Sequence, residues 1–267
     1  MQPMANMALR AARQASQIIL RAMDRLDELR VEEKSPNDFV SNVDRDVEAI
    51  IMEVLHRAYP DHGILGEESG QAFEGAEYNW IIDPLDGTNN YLQGIGHFCI
   101  SIACMKGRQF EHGVIVDPLR NEEFVASRGF GAQLNGKRIR VSKVSRLDAA
   151  TIGTGISPGT IAAHREPYIA MTDAFLGGTA SMRRLGSAAL DLAYVAAGRF
   201  DGFWQFQLSP WDIAAGTVIV REAGGFVGDL SGGDGFFESG NIVAANPKCF
   251  KAMVQTIRPH LTESLTE

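Results

Sequence analysis

Cysteine is scarce in this chain: Cys99, Cys104 and Cys249 are the only three in 267 residues, with no C-x-x-C pair. Such a set builds neither a disulfide framework nor a thiolate zinc site, and it fits a reducing cytosol. Long apolar runs are also missing, and nothing approaches the roughly eighteen residues that a membrane-crossing helix needs. Near the start, Arg10, Arg13 and Arg21 interrupt the apolar residues, so no secretory signal is expected there. Positive charge is not in excess. The chain has 33 acidic and 25 basic residues and a net charge of −8. That balance argues against non-specific nucleic-acid binding as the main task, a local basic patch aside. The six histidines show no ligand spacing, no G-x-S-x-G occurs, and Gly153-Thr154-Gly155 does not complete a G-x-G-x-x-G. A soluble, cytoplasmic protein without a nucleophile elbow or dinucleotide fingerprint is expected.

What is present is ordinary globular composition, 45% hydrophobic and 22% charged. This length suits one domain over residues 1–267, or two closely fused halves of about 1–145 and 146–267. Apolar spacing predicts helices over 4–29, 43–58, 162–176 and 187–197, another from 209 to 223, and a last one at the C-terminus. Strands are expected at 39–41, 64–66, 80–83, 98–105, 113–116, 122–126, 201–206, 226–229 and 241–245. Lys34 to Asp38 breaks the pattern between the first two helices. Asn135-Gly136 signals a two-residue hairpin between 132–134 and 138–141. Runs of strands and of helices, rather than strict alternation, indicate α+β layers.

The chemistry gathers on Trp80 to Tyr91, WIIDPLDGTNNY. An apolar strand delivers Asp83, and Pro84, with no N–H to donate, is expected to stop further pairing. Asp86 follows, then Gly87, which lets backbone approach a ligand, and Thr88 with a hydroxyl. Two carboxylates on one turn suit Mg²⁺, and free N–H groups after Gly87 would suit a phosphate if a helix starts there. The same letters also write a helix start, with Asp83 as N-cap and Pro84 in the first position. Glu67, after a short strand, and Asp212, in S-P-W-D, add two more carboxylates at element ends. Each also has a structural reading, as a solvated turn and a first-turn acid. Asp44 matches Ser41 at capping-box spacing, and capping is its preferred role from local pattern alone. If the four site carboxylates converge, each pair about 4 Å apart repels by roughly 4 kcal/mol at an effective dielectric near 20. Bound divalent cations remove that conflict, and metal-dependent phosphoryl hydrolysis is the natural chemistry.

Three motifs, G-E-E-S (66–69), W-I-I-D-P-L-D-G-T-N-N-Y (80–91) and W-D-I-A-A-G (211–216), with R-E-A-G-G (221–225) behind, closely resemble the inositol monophosphatase family. Order and spacing match over nearly the whole chain, and residues 182–199 look like a bacterial branch of it. The resemblance implies an α/β/α/β/α sandwich, dependence on two to three Mg²⁺ per site, lithium inhibition and a homodimer. It implies Glu67, Asp83 and the Leu85 carbonyl around a first Mg²⁺, and Asp83, Asp86 and Asp212 around a second, with Glu67 helping a third. It implies that Thr88 and Glu67 orient the attacking water, that Asp44 is bonded to Thr88, and that the Gly87 and Thr88 amides hold phosphate. The Asp44–Thr88 pairing overrides the capping preference, although one residue can do both. Implied substrate contacts are Asp86, Gly87, Thr88, Arg183, Gln205 and Asp212. Inositol 1-phosphate or a related polyol phosphate is the substrate class this suggests. Fructose 1,6-bisphosphate, nucleoside 3′,5′-bisphosphate and histidinol phosphate are alternatives, because related families share the metal motifs.

Two departures stand out. Gln205 replaces a Glu that typically bonds a sugar hydroxyl in inositol-cleaving members, and Val43 replaces a hydroxyl residue before Asp44. Arg183 and Arg184 read either as a solvated pair or as a substrate contact (Arg183) and a dimer contact (Arg184). Members of the bacterial branch can also serve ribosomal-RNA transcription, associating with RNA polymerase and antitermination factors. With this net charge, such a role would run through protein contacts.

Overall fold

Residues 1–26, 29, 31–35, 38–72 and 75–265 are described by the computed structural model. The elements, in chain order, begin with α1 (Pro3–Met23), β1 (Val31–Ser35), β2 (Asp38–Ser41) and α2 (Asn42–Ala58). Next come β3 (Gly63–Gly66), β4 (Gly70–Ala72), β5 (Tyr78–Asp86), α3 (Thr88–Leu92), β6 (Cys99–Lys106) and β7 (Gln109–Asp117). β8 (Glu122–Ser127), β9 (Gly131–Leu134), β10 (Lys137–Arg138), β11 (Thr151–Thr154), α4 (Pro158–Gly178) and β12 (Ser181–Arg183) follow. The chain continues through α5 (Ala188–Ala196), β13 (Gly202–Gln205), α6 (Pro210–Glu222), β14 (Phe226–Gly228), α7 (Phe236–Ser239), β15 (Ile242–Ala245) and α8 (Pro247–Ile257).

A large sheet runs in the order β10-β9-β8-β7-β6-β5-β3-β4, and a smaller one in the order β12-β11-β13-β15-β14. The large sheet is antiparallel except where β3 runs beside β5. Period-two alternation then sorts its side chains onto two faces. Ile82, Ile100, Ile102 and Val114 meet α1 and α2, whereas Ile81, Ala103, Met105 and Ile115 meet α5 and α6. On the far side of α5 and α6, Phe203 and Ala244 of the small sheet complete that second core. Their neighbours Trp204, Val243 and Ala245 turn to α4 and α8. Five layers result, α/β/α/β/α, as the resemblance implies. No helix among the described residues is long and apolar enough to cross a membrane.

Several local expectations need correction. α1 ends at Met23, not at residue 29, and residues 27 and 28 of the expected helix lie outside the described residues. Leu26 and Leu29 fold back onto the α1–α2 core instead of continuing the helix. The break at Lys34 to Asp38, whose residues 36 and 37 also lie outside, separates two strands that pair as a hairpin. Pro84 does not end β5. Pairing with β6 skips from Asp83↔Ser101 to Asp86↔Cys99, so the missing N–H is absorbed in a bulge. The helix expected at 162–176 starts earlier and is kinked at His164, three residues before Pro167. β11 and β12 were not expected, being short and parallel and carrying little alternation. Asn135 and Gly136 do form the hairpin, with positive φ at both positions.

α6 lies directly on β7, because Gly113 leaves room for its backbone. A Cβ there would stand 2.5 Å from the Ala215 carbonyl oxygen. Gly113→Ala should therefore push the helix off the sheet and destabilise the fold by about 1–3 kcal/mol. In a thermal melt this reads as a Tm several degrees lower, at roughly 2–4 °C per kcal/mol for this size. An unchanged Tm would show that the contact is not a constraint.

Candidate active site

The bulge in β5 aims Asp83 and Asp86 at a common point. Asp83 is buried and folds back so that its Oδ1 accepts from the Leu85 N–H at 3.0 Å. Gly87 adopts φ 99, and a Cβ there would meet the His97 carbonyl at 2.9 Å, so only glycine fits. Helix α3 starts immediately after it, at Thr88. The helix-start reading with Asp83 as N-cap and Pro84 first therefore fails; the helix begins four residues later, at Thr88. Asp212 reaches the same point from the other half of the chain, in the first turn of α6, where its Oδ2 accepts from the Ser209 N–H at 2.7 Å. Ligand oxygens of Asp83, Asp86 and Asp212 lie within 4.8 Å of one another.

Such crowding has an electrostatic consequence. Burial pushes Asp83 well above the usual carboxylate range, and the charges of Glu67, Asp86 and Asp212 push it further. Asp212 is raised well above its ordinary value by burial and then by Asp86. Asp86 is raised by burial too, against opposition from the hydrogen bonds of Ser187 and Ala189. Glu67 belongs to this neighbourhood through its charge on Asp83 and Asp212. It sits in the three-residue loop between β3 and β4, where its N–H donates to the Ile82 carbonyl of β5 at 3.1 Å.

Asp44 plays both parts considered for it. Its Oδ2 accepts from the Ser41 N–H at 2.9 Å, closing a capping box, while its Oδ1 accepts from the Thr88 hydroxyl at 3.0 Å. Thr88 Oγ1 also lies 3.0 Å from the Leu85 carbonyl. A hydroxyl has one proton, so with that proton turned to either acceptor its lone pairs can accept from a water. Asp44 is buried, and burial raises its pKa.

A cleft of about 520 Å³ opens on this centre, lined by Asp86, Asp212, Gln205, Arg184 and residues 185–188. Gln205 packs so tightly on Gly155 that a Cβ there would be 2.1 Å from its Oε1. Of the two arginines, Arg184 lines the cleft, with one nitrogen donating to the Ile156 carbonyl at 3.0 Å. Arg183 is not among the lining residues, and its guanidinium donates to the Met182 carbonyl. The sequence reading gave a substrate contact to Arg183, whereas in the structure Arg184 is the one of the pair at the cleft. Val43 is buried in the α1–α2 core, away from the cleft.

Sequence reasoning missed several supports. Ser187 Oγ and the Ala189 N–H each donate to Asp86 Oδ2 at 2.7 Å, so this carboxylate sits at the N-terminus of α5, where the dipole favours an anion. Behind it, His97 and Asp191 are both buried with Nε2 and Oδ1 3.6 Å apart, and burial pushes Asp191 up to about 6. Glu48, one turn after Asp44 on α2, accepts from the Glu68 and Ser69 amides. The one available signal was a charged residue at i+4 from Asp44 on the buried side of a helix.

Comparisons with known proteins agree with this geometry. A family model described as the inositol monophosphatase family matches residues 1–262. The Nus factor SuhB of Pseudomonas aeruginosa is 52% identical over 99% of both chains. The crystal structure of extragenic suppressor protein suhB from Bartonella henselae superposes with a TM-score of 0.91 at 41% identity, covering 96% of this chain and 98% of that one. An inositol monophosphatase from Anabaena gives a TM-score of 0.85 at 34% identity, over 95% and 94%. With a family model matching nearly its whole length and relatives similar in both sequence and fold, the chain belongs to the inositol monophosphatase family, in the SuhB-like bacterial branch.

Proposed function

We propose that this protein is a Mg²⁺-dependent phosphomonoesterase acting on inositol 1-phosphate or a related polyol phosphate. The observation that carries the reading is the meeting of Asp83, Asp86 and Asp212 within 4.8 Å beside Thr88. The donor set fits a hard cation. It consists of carboxylate oxygens, with the Leu85 carbonyl nearby and the cluster built without His or Cys. In this reading Glu67, Asp83 and Leu85 hold one Mg²⁺, Asp83, Asp86 and Asp212 another, and Glu67 contributes to a third. When bound, Mg²⁺ supplies positive charge that neutralises the carboxylates, activates water and stabilises the phosphoryl and leaving oxygens.

The chain's own residues do the rest. Thr88, its proton turned to Asp44, accepts a hydrogen bond from the attacking water and, with Glu67, aligns it in line with the leaving oxygen. Amides at the start of α3 receive the phosphate oxygens, and the positive φ of Gly87 lets the backbone come close. Gln205 and Arg184 stand where the alcohol part of the substrate enters the cleft. Gln205 can accept a hydrogen bond from a substrate hydroxyl but brings no charge, which loosens the preference for myo-inositol. Phosphate release from inositol 1-phosphate, fructose 1,6-bisphosphate, a nucleoside 3′,5′-bisphosphate and histidinol phosphate, with and without Mg²⁺, tests the proposal. Inositol 1-phosphate should be cleaved only with Mg²⁺; strong preference for another ester would overturn the substrate, and no cleavage of any would overturn the activity.

A second reading is favoured by the name of the relatives, Nus factor SuhB. In it, the chain also joins RNA polymerase and antitermination factors through protein contacts. Pull-down with the tagged protein should retain polymerase or its factors, and their absence would count against that role.

A further inference from the structure

We propose that Glu48 is a positioning residue that fixes the direction of Glu67, and that α2 thereby aligns both sides of the metal centre. The inference rests on the metal-site reading above. Helix α2 points Asp44, Glu48 and Met52 along one stripe, one turn apart, towards the site. Asp44 takes the Thr88 hydroxyl. Glu48 Oε2 accepts from the Glu68 N–H at 3.0 Å and its Oε1 from the Ser69 N–H at 2.8 Å. Ser69 Oγ stands 3.6 Å from Met52 Sδ.

Glu48 is held from the other side as well. It is buried, and a Cβ on Gly66 would fall 2.5 Å from its Oε2, so the carboxylate lies pressed against the Gly66 backbone. No ion pair involving Glu48 is found among the described residues. A buried carboxylate without a cation is costly unless its oxygens are bonded. Here both oxygens serve one three-residue loop, the one that carries Glu67. That loop is fixed at three backbone points: Glu67 to Ile82, and Glu68 and Ser69 to Glu48. With the backbone on both sides of Glu67 immobilised, its carboxylate is held towards Asp83. Each Glu48 oxygen accepts from one amide, so the proposal gives Glu48 a positioning role and not a ligand's.

Glu48→Gln is the informative change. One of its two terminal atoms becomes an NH₂, which cannot accept, so either Glu68 or Ser69 loses its partner. Mn²⁺ binding, titrated calorimetrically on the full chain without substrate, should weaken about tenfold, the lower end for outer partners of a ligand. The loss should shrink to less than about twofold when the same change is made in a Glu67→Gln background, because a residue acting through Glu67 has nothing left to position. A purely structural residue would weaken both backgrounds alike. Binding by folded Glu48→Gln equal to wild type, or an undiminished loss in the Glu67→Gln background, overturns the proposal. If Glu48→Gln does not fold, Glu48→Asp, which keeps the charge but is one methylene too short, carries the same comparison. Failure of the wild type to bind Mn²⁺ would instead overturn the metal-site reading.

Discussion

Asp83→Asn should abolish Mg²⁺-dependent phosphate release and leave the metal-free protein more stable than wild type. Asn preserves shape, and its Oδ1 can still accept from the Leu85 N–H, so the bulge in β5 should survive. What is lost is the charge that faces both proposed Mg²⁺ positions. A drop of at least ~10³-fold is expected, about 4 kcal/mol of transition-state stabilisation at 1.36 kcal/mol per decade. Stability should move the other way. Asp83 is buried among Glu67, Asp86 and Asp212, and without a cation its ionised form is opposed by burial and by all three neighbours. An amide removes that conflict, and its NH₂ can donate to a neighbouring carboxylate. Phosphate release with Mg²⁺ and a thermal melt in a chelator measure the two effects. Retained turnover, or a metal-free Tm below wild type, would contradict the assignment.

The second large effect is the response to metal and pH together. In the unfolded chain an aspartate titrates near ~3.9. Folded Asp83, Asp86 and Asp212 titrate higher, so above that value the folded chain holds more protons than the unfolded one. Stability contributed by these groups therefore falls as pH rises through the window between the unfolded and folded values, and stays low above it. A divalent cation competes with those protons and reverses the loss. Mg²⁺ should raise Tm more at about pH 8 than at about pH 5. Near 100 times its dissociation constant it should contribute about 2.7 kcal/mol, or roughly 5–10 °C for a chain of this size. The comparison with Asp83→Asn isolates these groups from other carboxylates, such as Asp148, that shift the opposite way. An equal Mg²⁺ shift at both pH values would show that the cluster is not where the metal acts.

Much of the carboxylate cluster could be read in advance because its members lie on motifs with strong local grammar. Asp86 ends β5 and Asp212 stands in a capping box, as sequence spacing suggested, while Asp83 lies inside β5 at the bulge rather than at its end. Asp44 was legible twice over, and both roles hold together because its two oxygens face different partners. Gly87 was readable by type as a special backbone position, and its φ is positive. What could not be read was tertiary. Ser187 looks like an ordinary helix cap, yet its hydroxyl goes to Asp86 across the chain. Glu48 could be placed on the buried side of its helix but not given a partner, because its partners are backbone amides that leave no trace in side-chain identity. Arg184 and Arg183 are adjacent, and only the turn after β12 decides which one reaches the cleft. The Pro84 error has a similar origin. Proline forbids one ladder bond, and a bulge satisfies that demand without ending the strand.

The bonds from Ser187 and Ala189 to Asp86 span 101 and 103 residues of sequence. Closing so distant a contact costs loop entropy before any of it is recovered, which places this junction late on the folding route. During synthesis, at about 5–20 residues per second, Asp83 and Asp86 leave the ribosome many seconds before α5 and Asp212. Until those arrive, the early half presents an incomplete set of ligands. If Asp83, Asp86 and Asp212 hold a cation as proposed, its capture would mark the arrival of Asp212, and a chain truncated before that residue would lack this ligand set.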